Sequence, residues 1–172
     1  NPDADRTGTF TSGFVCKDNT NNTEIVLYFV SEKHAGENLS YLLEQRTLPE
    51  DQLVVMCDGL DNILPKLLLA TICNCMSHGV RKFKEILECY RCECTHVLVE
   101  LKKVYEFDTE TKQMTPEARL QYHIKNSKPV MDSLLIWMKR QFNDKLVEPN
   151  SNLGKTLKYM INRWDKLTRF CQ

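Results

Sequence analysis

The chain has 172 residues, 42% of them hydrophobic and 27% charged, a balance that suits one ordinary globular domain and excludes a disordered or membrane-embedded chain. No apolar run approaches the length needed to span a bilayer, no signal peptide opens the sequence, and a start at Asn1 reads as a fragment or a processed piece. The net charge of zero is unevenly spread: residues 1–70 hold 5 Lys/Arg against 11 Asp/Glu, a balance of −6, and residues 71–172 hold 18 against 12, a balance of +6. A basic second half suits a polyanion, although solvated helix faces produce the same asymmetry.

In chain order, residues 1–7 are polar and look like a linker end. Residues 9–16 and 24–30 are rich in β-formers and are joined by the polar cluster Asp18-Asn19-Thr20-Asn21-Asn22, which predicts an antiparallel hairpin. Over 35–46 the period changes, and Leu39, Leu42 and Leu43 share one face of a helix that Pro49 ends. Leu53-Val54-Val55-Met56-Cys57 then reads as a strand buried on both faces, stopping at Asp58-Gly59. A short segment with Pro65 follows, and residues 67–73 read as a further buried strand. The order β-β-α-β-(α)-β is that of a mixed sheet with helical cover.

Everything after Cys75 reads as helical. Val80, Phe83, Leu87 and Tyr90 form one stripe on a continuous helix, and Val97, Leu101, Val104 and Tyr105 form a second. Thr115-Pro116-Glu117 is a helix start with a capping hydroxyl, and Pro129 opens another helix carrying Leu134, Met138 and Phe142. The turn Glu148-Pro149-Asn150-Ser151 leads to the last helix, with Leu153, Leu157, Ile161, Trp164, Leu167 and Phe170 on one side. These stripes are most simply the core of a bundle.

Ligands in open α/β sheets bind just beyond the carboxyl ends of strands, which singles out Asp58 as a candidate for a divalent metal; capping the next helix is the plainer reading of that stretch alone. Eight cysteines are many for this length, yet Cys57 and Cys73 lie in apolar strand-like runs where free cysteine acts as a small hydrophobe. The chain therefore reads as cytosolic and reduced. Cys75-x-x-His78 and Cys89-x-x-Cys92 have the spacing of two zinc-ligand pairs, but a continuous helix between them would hold them apart by its length. His34 and His123 read as surface residues. Gly154-Lys155-Thr156 resembles the tail of a phosphate-binding loop, but Pro149 stands where that loop needs a glycine, so Ser151 as a helix cap explains it better.

Several stretches together resemble the transposases of insertion-sequence family sixty-six, a group with an Asp-Asp-Glu catalytic set. They are Arg6-Thr7-Gly8-Thr9-Phe10-Thr11-Ser12-Gly13, Lys33-His34-Ala35-Gly36-Glu37-Asn38-Leu39, Met56-Cys57-Asp58, Cys75-Met76-Ser77-His78-Gly79-Val80-Arg81-Lys82-Phe83, Glu148-Pro149-Asn150-Ser151 and Trp164-Asp165-Lys166-Leu167-Thr168-Arg169-Phe170. The motifs occur in order over nearly the whole chain.

The resemblance implies an α/β fold: a partial ribonuclease-H-like mixed sheet over residues 1–75, followed by a mostly helical insertion over 76–172. It implies Mg2+ (or Mn2+) bound between carboxylates, with Asp58 as the second catalytic acid and the other two acids outside these residues. On that basis the fragment alone would have no strand-transfer activity. The implied partners are DNA, as transposon ends and target, and no membrane; a homo-oligomer and the bacterial cytoplasm fit the same picture. Arg81, Lys82, Lys84, Lys155, Lys158, Arg163 and Arg169 are the candidates for phosphate contacts. Val80 departs from the arginine usual at its place. The alternative is a non-catalytic DNA- or protein-binding relic, with a structural zinc on Cys75 and His78.

Overall fold

A computed structural model describes residues 8–18, 23–45, 53–58 and 70–172. The chain divides into two compact units, one formed by Asn1–Val55 with Leu60–Thr71 and the other by Met56–Gly59 with Ile72–Gln172. The protein is mixed α/β and mostly helical, with two small two-stranded sheets among the described residues. Among the described residues no helix is long and apolar enough to cross a membrane.

In the first unit, β1 (Phe10–Asp18) and β2 (Thr23–Ser31) pair antiparallel from Phe10↔Ser31 to Asp18↔Thr23, the hairpin that the two β-rich runs predict. The turn itself lies outside the described residues. Helix α1 (Ala35–Glu44) starts where the backbone N–H of His34 donates to the Glu37 carboxylate at 2.8 Å, half of a capping box. It covers one face of the hairpin through the buried Asn38, whose amide donates to Ser12 Oγ at 3.1 Å, and through Tyr41 edge-on to Phe29. The opposite face, with Val15, Val26, Tyr28 and Val30, is exposed. Pro49 lies outside the described residues.

Strands β3 (Val54–Cys57) and β4 (Thr71–Asn74) run parallel, with Thr71 N donating to Leu53 O at 2.9 Å and Cys75 N to Cys57 O at 2.8 Å. The expectation that β3 is buried on both faces fails: Val54 is 65% and Met56 69% exposed. A strand with alternate residues covered buries one face only, and an unbroken apolar run does not distinguish the two cases. The second strand begins at Thr71, and residues 67–69 and the Pro65 segment lie outside the described residues.

Helices α2 (Met76–Glu85), α3 (Arg91–Glu110), α4 (Pro116–Asn143), α5 (Asn152–Asn162) and α6 (Trp164–Leu167) build the core of the second unit, closed by a 3-10 turn at Arg169–Cys171. Phe83, Val97, Leu101, Met131, Leu134, Met138, Leu157 and Met160 are each no more than 1% exposed. The core therefore follows the helical stripes of the sequence.

Three sequence expectations are corrected here. The stripe from Val80 to Tyr90 is not one helix: the chain turns after Glu85, where Ile86 O accepts from both Cys89 N and Tyr90 N at 3.1 Å. The turn lets α3 fold back on α2 and brings Phe83 into one core with Cys94 and Val97. Pro129 does not open a helix but lies inside α4. Pro129 is exposed, while Ser127 and Met131 on either side are buried; the burial of that inner face opposes the roughly 3 kcal/mol cost of an interior proline. His123 is not a surface residue: it is 2% exposed, in phase with Ser127, Met131, Leu134 and Met138 along α4.

The cap of α4 is as expected, Thr115 Oγ1 accepting from Ala118 N at 3.3 Å. So is that of α5, where Ser151 Oγ accepts from Gly154 N at 3.0 Å. Gly154 has its own reason to be glycine, since a Cβ there would overlap the Glu148 carbonyl and crowd the Pro149 backbone. That packing accounts for a Gly-Lys-Thr sequence without any phosphate loop.

Candidate functional site

Asp58 follows directly on the last residue of β3 and is half-buried. Its backbone carbonyl accepts a 2.5 Å hydrogen bond from the Tyr159 hydroxyl on α5. The Tyr159 ring carries two cations: Lys82 Nζ lies 4.8 Å and the Arg163 guanidinium 4.3 Å from its centre. Both distances are within the range of cation–π attraction.

Helix periodicity explains this meeting. Tyr159 and Arg163 are four residues apart on and just past α5, so they share a face. On α2, Gly79 presses against α5, where a Cβ would overlap the Met160 sulfur. With Met160 fully buried at that contact, the next turn of α2 brings Lys82 over Tyr159. Burial pushes the Tyr159 hydroxyl above its ordinary range; Arg163 opposes that shift, and Asp58, Cys75 and Cys57 add to it. The phenol thus stays protonated at neutral pH and remains a donor to Asp58.

Beside it, Asn74 is 4% exposed and its amide nitrogen donates to Cys57 Sγ at 3.3 Å. Asn74 Oδ1 and His78 Nδ1 are buried without a hydrogen-bond partner. Among the described residues no three His, Cys, Asp or Glu side chains converge on one point, so Cys75 and His78 are not joined by Cys89 and Cys92. None of the eight cysteines is disulfide-bonded. Burial raises the Cys94 and Cys171 thiols to about 11 and also raises Cys73, against which Arg169 acts. These three thiols are protonated near neutrality.

The basic residues singled out in the sequence separate into distinct places. Lys82 and Arg163 flank Tyr159. Arg81 and Lys84, on another face of α2, line a groove of about 590 Å³ against α3. Lys158 Nζ lies 6.0 Å from the Phe142 ring centre. Arg169 donates to Gln172 Oε1 at 3.0 Å, and Lys155 is exposed on α5. Sequence reasoning missed Tyr159 altogether, and it missed Lys102 and Tyr105 as groove residues. The spacing of Tyr159 and Arg163 was a visible signal, but nothing local to either reports that β3 ends beside them.

No curated protein and no solved structure matches the chain. A family model described as "Transposase IS66 family" matches residues 9–172. That span takes in both strand pairs and all the helices, so the chain belongs to the IS66 family of transposases.

Proposed function

We propose that this chain is the middle of a DDE-type catalytic domain, with a partial ribonuclease-H-like core over residues 1–75 and a helical insertion over 76–172. In this reading Asp58 is one of the carboxylates that hold a divalent cation for cutting and joining DNA. The observation that carries the reading is the convergence at Tyr159: one side chain ties down the residue at the strand end and also gathers Lys82 and Arg163, two cations suited to phosphate.

Magnesium or manganese fits what these residues offer. A half-buried carboxylate at a strand end is a hard oxygen ligand, and such ions are commonly held by one or two carboxylates together with substrate phosphates. Asp58 would supply one such ligand. When bound, the ion supplies an activated oxygen nucleophile and stabilises charge on the phosphorus oxygens.

The residues of this chain do the rest. Lys82 and Arg163 draw the DNA backbone to the strand end and orient a phosphate there. Tyr159 restrains the Asp58 backbone, so the carboxylate is presented from a fixed point rather than from a loose loop. Transposon ends and target DNA are the partners, and the bacterial cytoplasm, where thiols stay reduced, is the compartment.

The test is made in the protein as its gene encodes it. Asp58→Asn should reduce Mg2+-dependent cleavage of transposon-end DNA to background while leaving binding of that DNA intact. Cleavage at the wild-type rate by Asp58→Asn would overturn the assignment.

A further inference from the structure

The groove between α2 and α3 plays no part in the site at Tyr159. Its wall on α2 is Ser77, Arg81 and Lys84, spaced four and three residues apart and therefore on one helix face. Its wall on α3 adds Lys102 and Tyr105, and Val80, Leu98 and Leu101 form the floor. Among the described residues the lining thus holds three cations, no carboxylate and an apolar base. Tyr105, 39% exposed, is steadied by a 3.0 Å hydrogen bond between its hydroxyl and Ser77 Oγ. Glu106 competes for Lys102 at 3.6 Å, in a pair whose side chains are 75% and 57% exposed. Such an exposed pair is easily released.

An anionic strand with flat apolar bases matches this lining at every point. Phosphates are drawn to a row of cations, and a base released from its stack finds an aromatic ring and aliphatic side chains. Duplex DNA keeps its bases stacked inside, so it can use the cations but not the floor. We propose that this groove seats a segment of single-stranded DNA, with its phosphates on Arg81, Lys84 and Lys102 and a base against Tyr105 and the apolar floor. The proposal rests on the reading of the chain as a DNA-acting protein, and it concerns a surface separate from Asp58.

The test measures fluorescence anisotropy of the whole chain with labelled oligothymidine, the matching duplex, an abasic strand of equal length and a polyglutamate peptide. Oligothymidine should bind more tightly than the other three. Tyr105→Ala should weaken oligothymidine binding roughly tenfold or more while changing the abasic strand little. Tyr105→Phe should bind as wild type. Each of Arg81→Ala, Lys84→Ala and Lys102→Ala should flatten the dependence of log affinity on log salt by about 0.7.

The proposal is overturned if oligothymidine does not bind, if these variants leave its affinity and salt slope unchanged, or if duplex or polyglutamate binds as well and is lost in parallel. Circular dichroism of each variant separates loss of the site from loss of the fold. The outcome is independent of Asp58. Strand binding lost in the groove variants, with cleavage unaffected by Asp58→Asn, would leave the groove standing and remove the catalytic reading; the reverse pattern would do the opposite.

Discussion

The Tyr159 hydroxyl on α5 is hydrogen-bonded to the Asp58 carbonyl at the end of β3, 2.5 Å away and 101 residues distant in sequence. The bond adds to the pairing with β4, that strand's neighbour among the described residues. Tyr159→Phe removes the bond but keeps the ring under Lys82 and Arg163. It should cost about 0.5–1.5 kcal/mol, the usual net worth of such a bond, read as a lower urea midpoint with unchanged slope. Tyr159→Ala removes the ring as well and should cost more. Equal midpoints for wild type and Tyr159→Phe would mean that the bond does not hold the strand end.

Gly154 stands where a side chain has no room. A Cβ would meet the Glu148 carbonyl and the Pro149 backbone, neither of which can swing aside. Gly154→Ala should therefore destabilise by roughly 1–3 kcal/mol, as overpacking does, even though alanine is the better helix former. Gly79→Ala should be milder, because the atom it meets belongs to the Met160 side chain. A thermal melt of both variants checks the order, and Gly79→Ala melting lower would contradict it.

His123 makes the fold sensitive to acid. Its ring is buried against Phe170, with Nδ1 2.9 Å from Ser127 Oγ and Nε2 3.4 Å from Thr111 Oγ1. Burial lowers its pKa from 6.5, Asp108 raises it and Arg119 lowers it further. The folded state therefore takes up a proton less readily than the unfolded chain. The stability this contributes is complete above the unfolded value and is lost as pH falls below about 6.5. His123→Gln should flatten that part of the stability profile between pH 7 and 5. An equally steep fall in the variant would assign the acid sensitivity to other groups.

Pro129 costs α4 one backbone hydrogen bond at an exposed position. Pro129→Ala returns the donor and should raise stability, by up to about 3 kcal/mol. Guanidinium unfolding measures it. A loss instead would show that the packing on the buried side depends on the backbone geometry that proline imposes.

What the sequence made legible was local. The hairpin, the Thr115 and Ser151 caps and the stripes through Leu101, Leu134 and Leu157 are each set by residues a few positions apart, and they stand as expected. Pro129 was misread because the cost of an interior proline is smaller than the gain from burying Ser127 and Met131 in one continuous helix. His123 was misread by residue type, although its phase with Met131 and Met138 placed it on the inner face. The exposure of Met56 depends on what covers a strand, which no run of apolar residues states. The gathering of Lys82, Tyr159 and Arg163 at Asp58 depends on how α2 and α5 pack, through Gly79 and Met160, and no local pattern encodes that.

Neighbouring residues on a helix point about 100° apart, and on α2 this sends Lys82 toward Tyr159 while Arg81 turns into the groove against α3. One ten-residue helix thus forms a wall of two separate surfaces, with Phe83 anchoring it between them in the core. Substitutions on α2 therefore sort by face: a change at Lys82 acts at the strand end, and a change at Arg81 or Lys84 acts in the groove, each without touching the other surface.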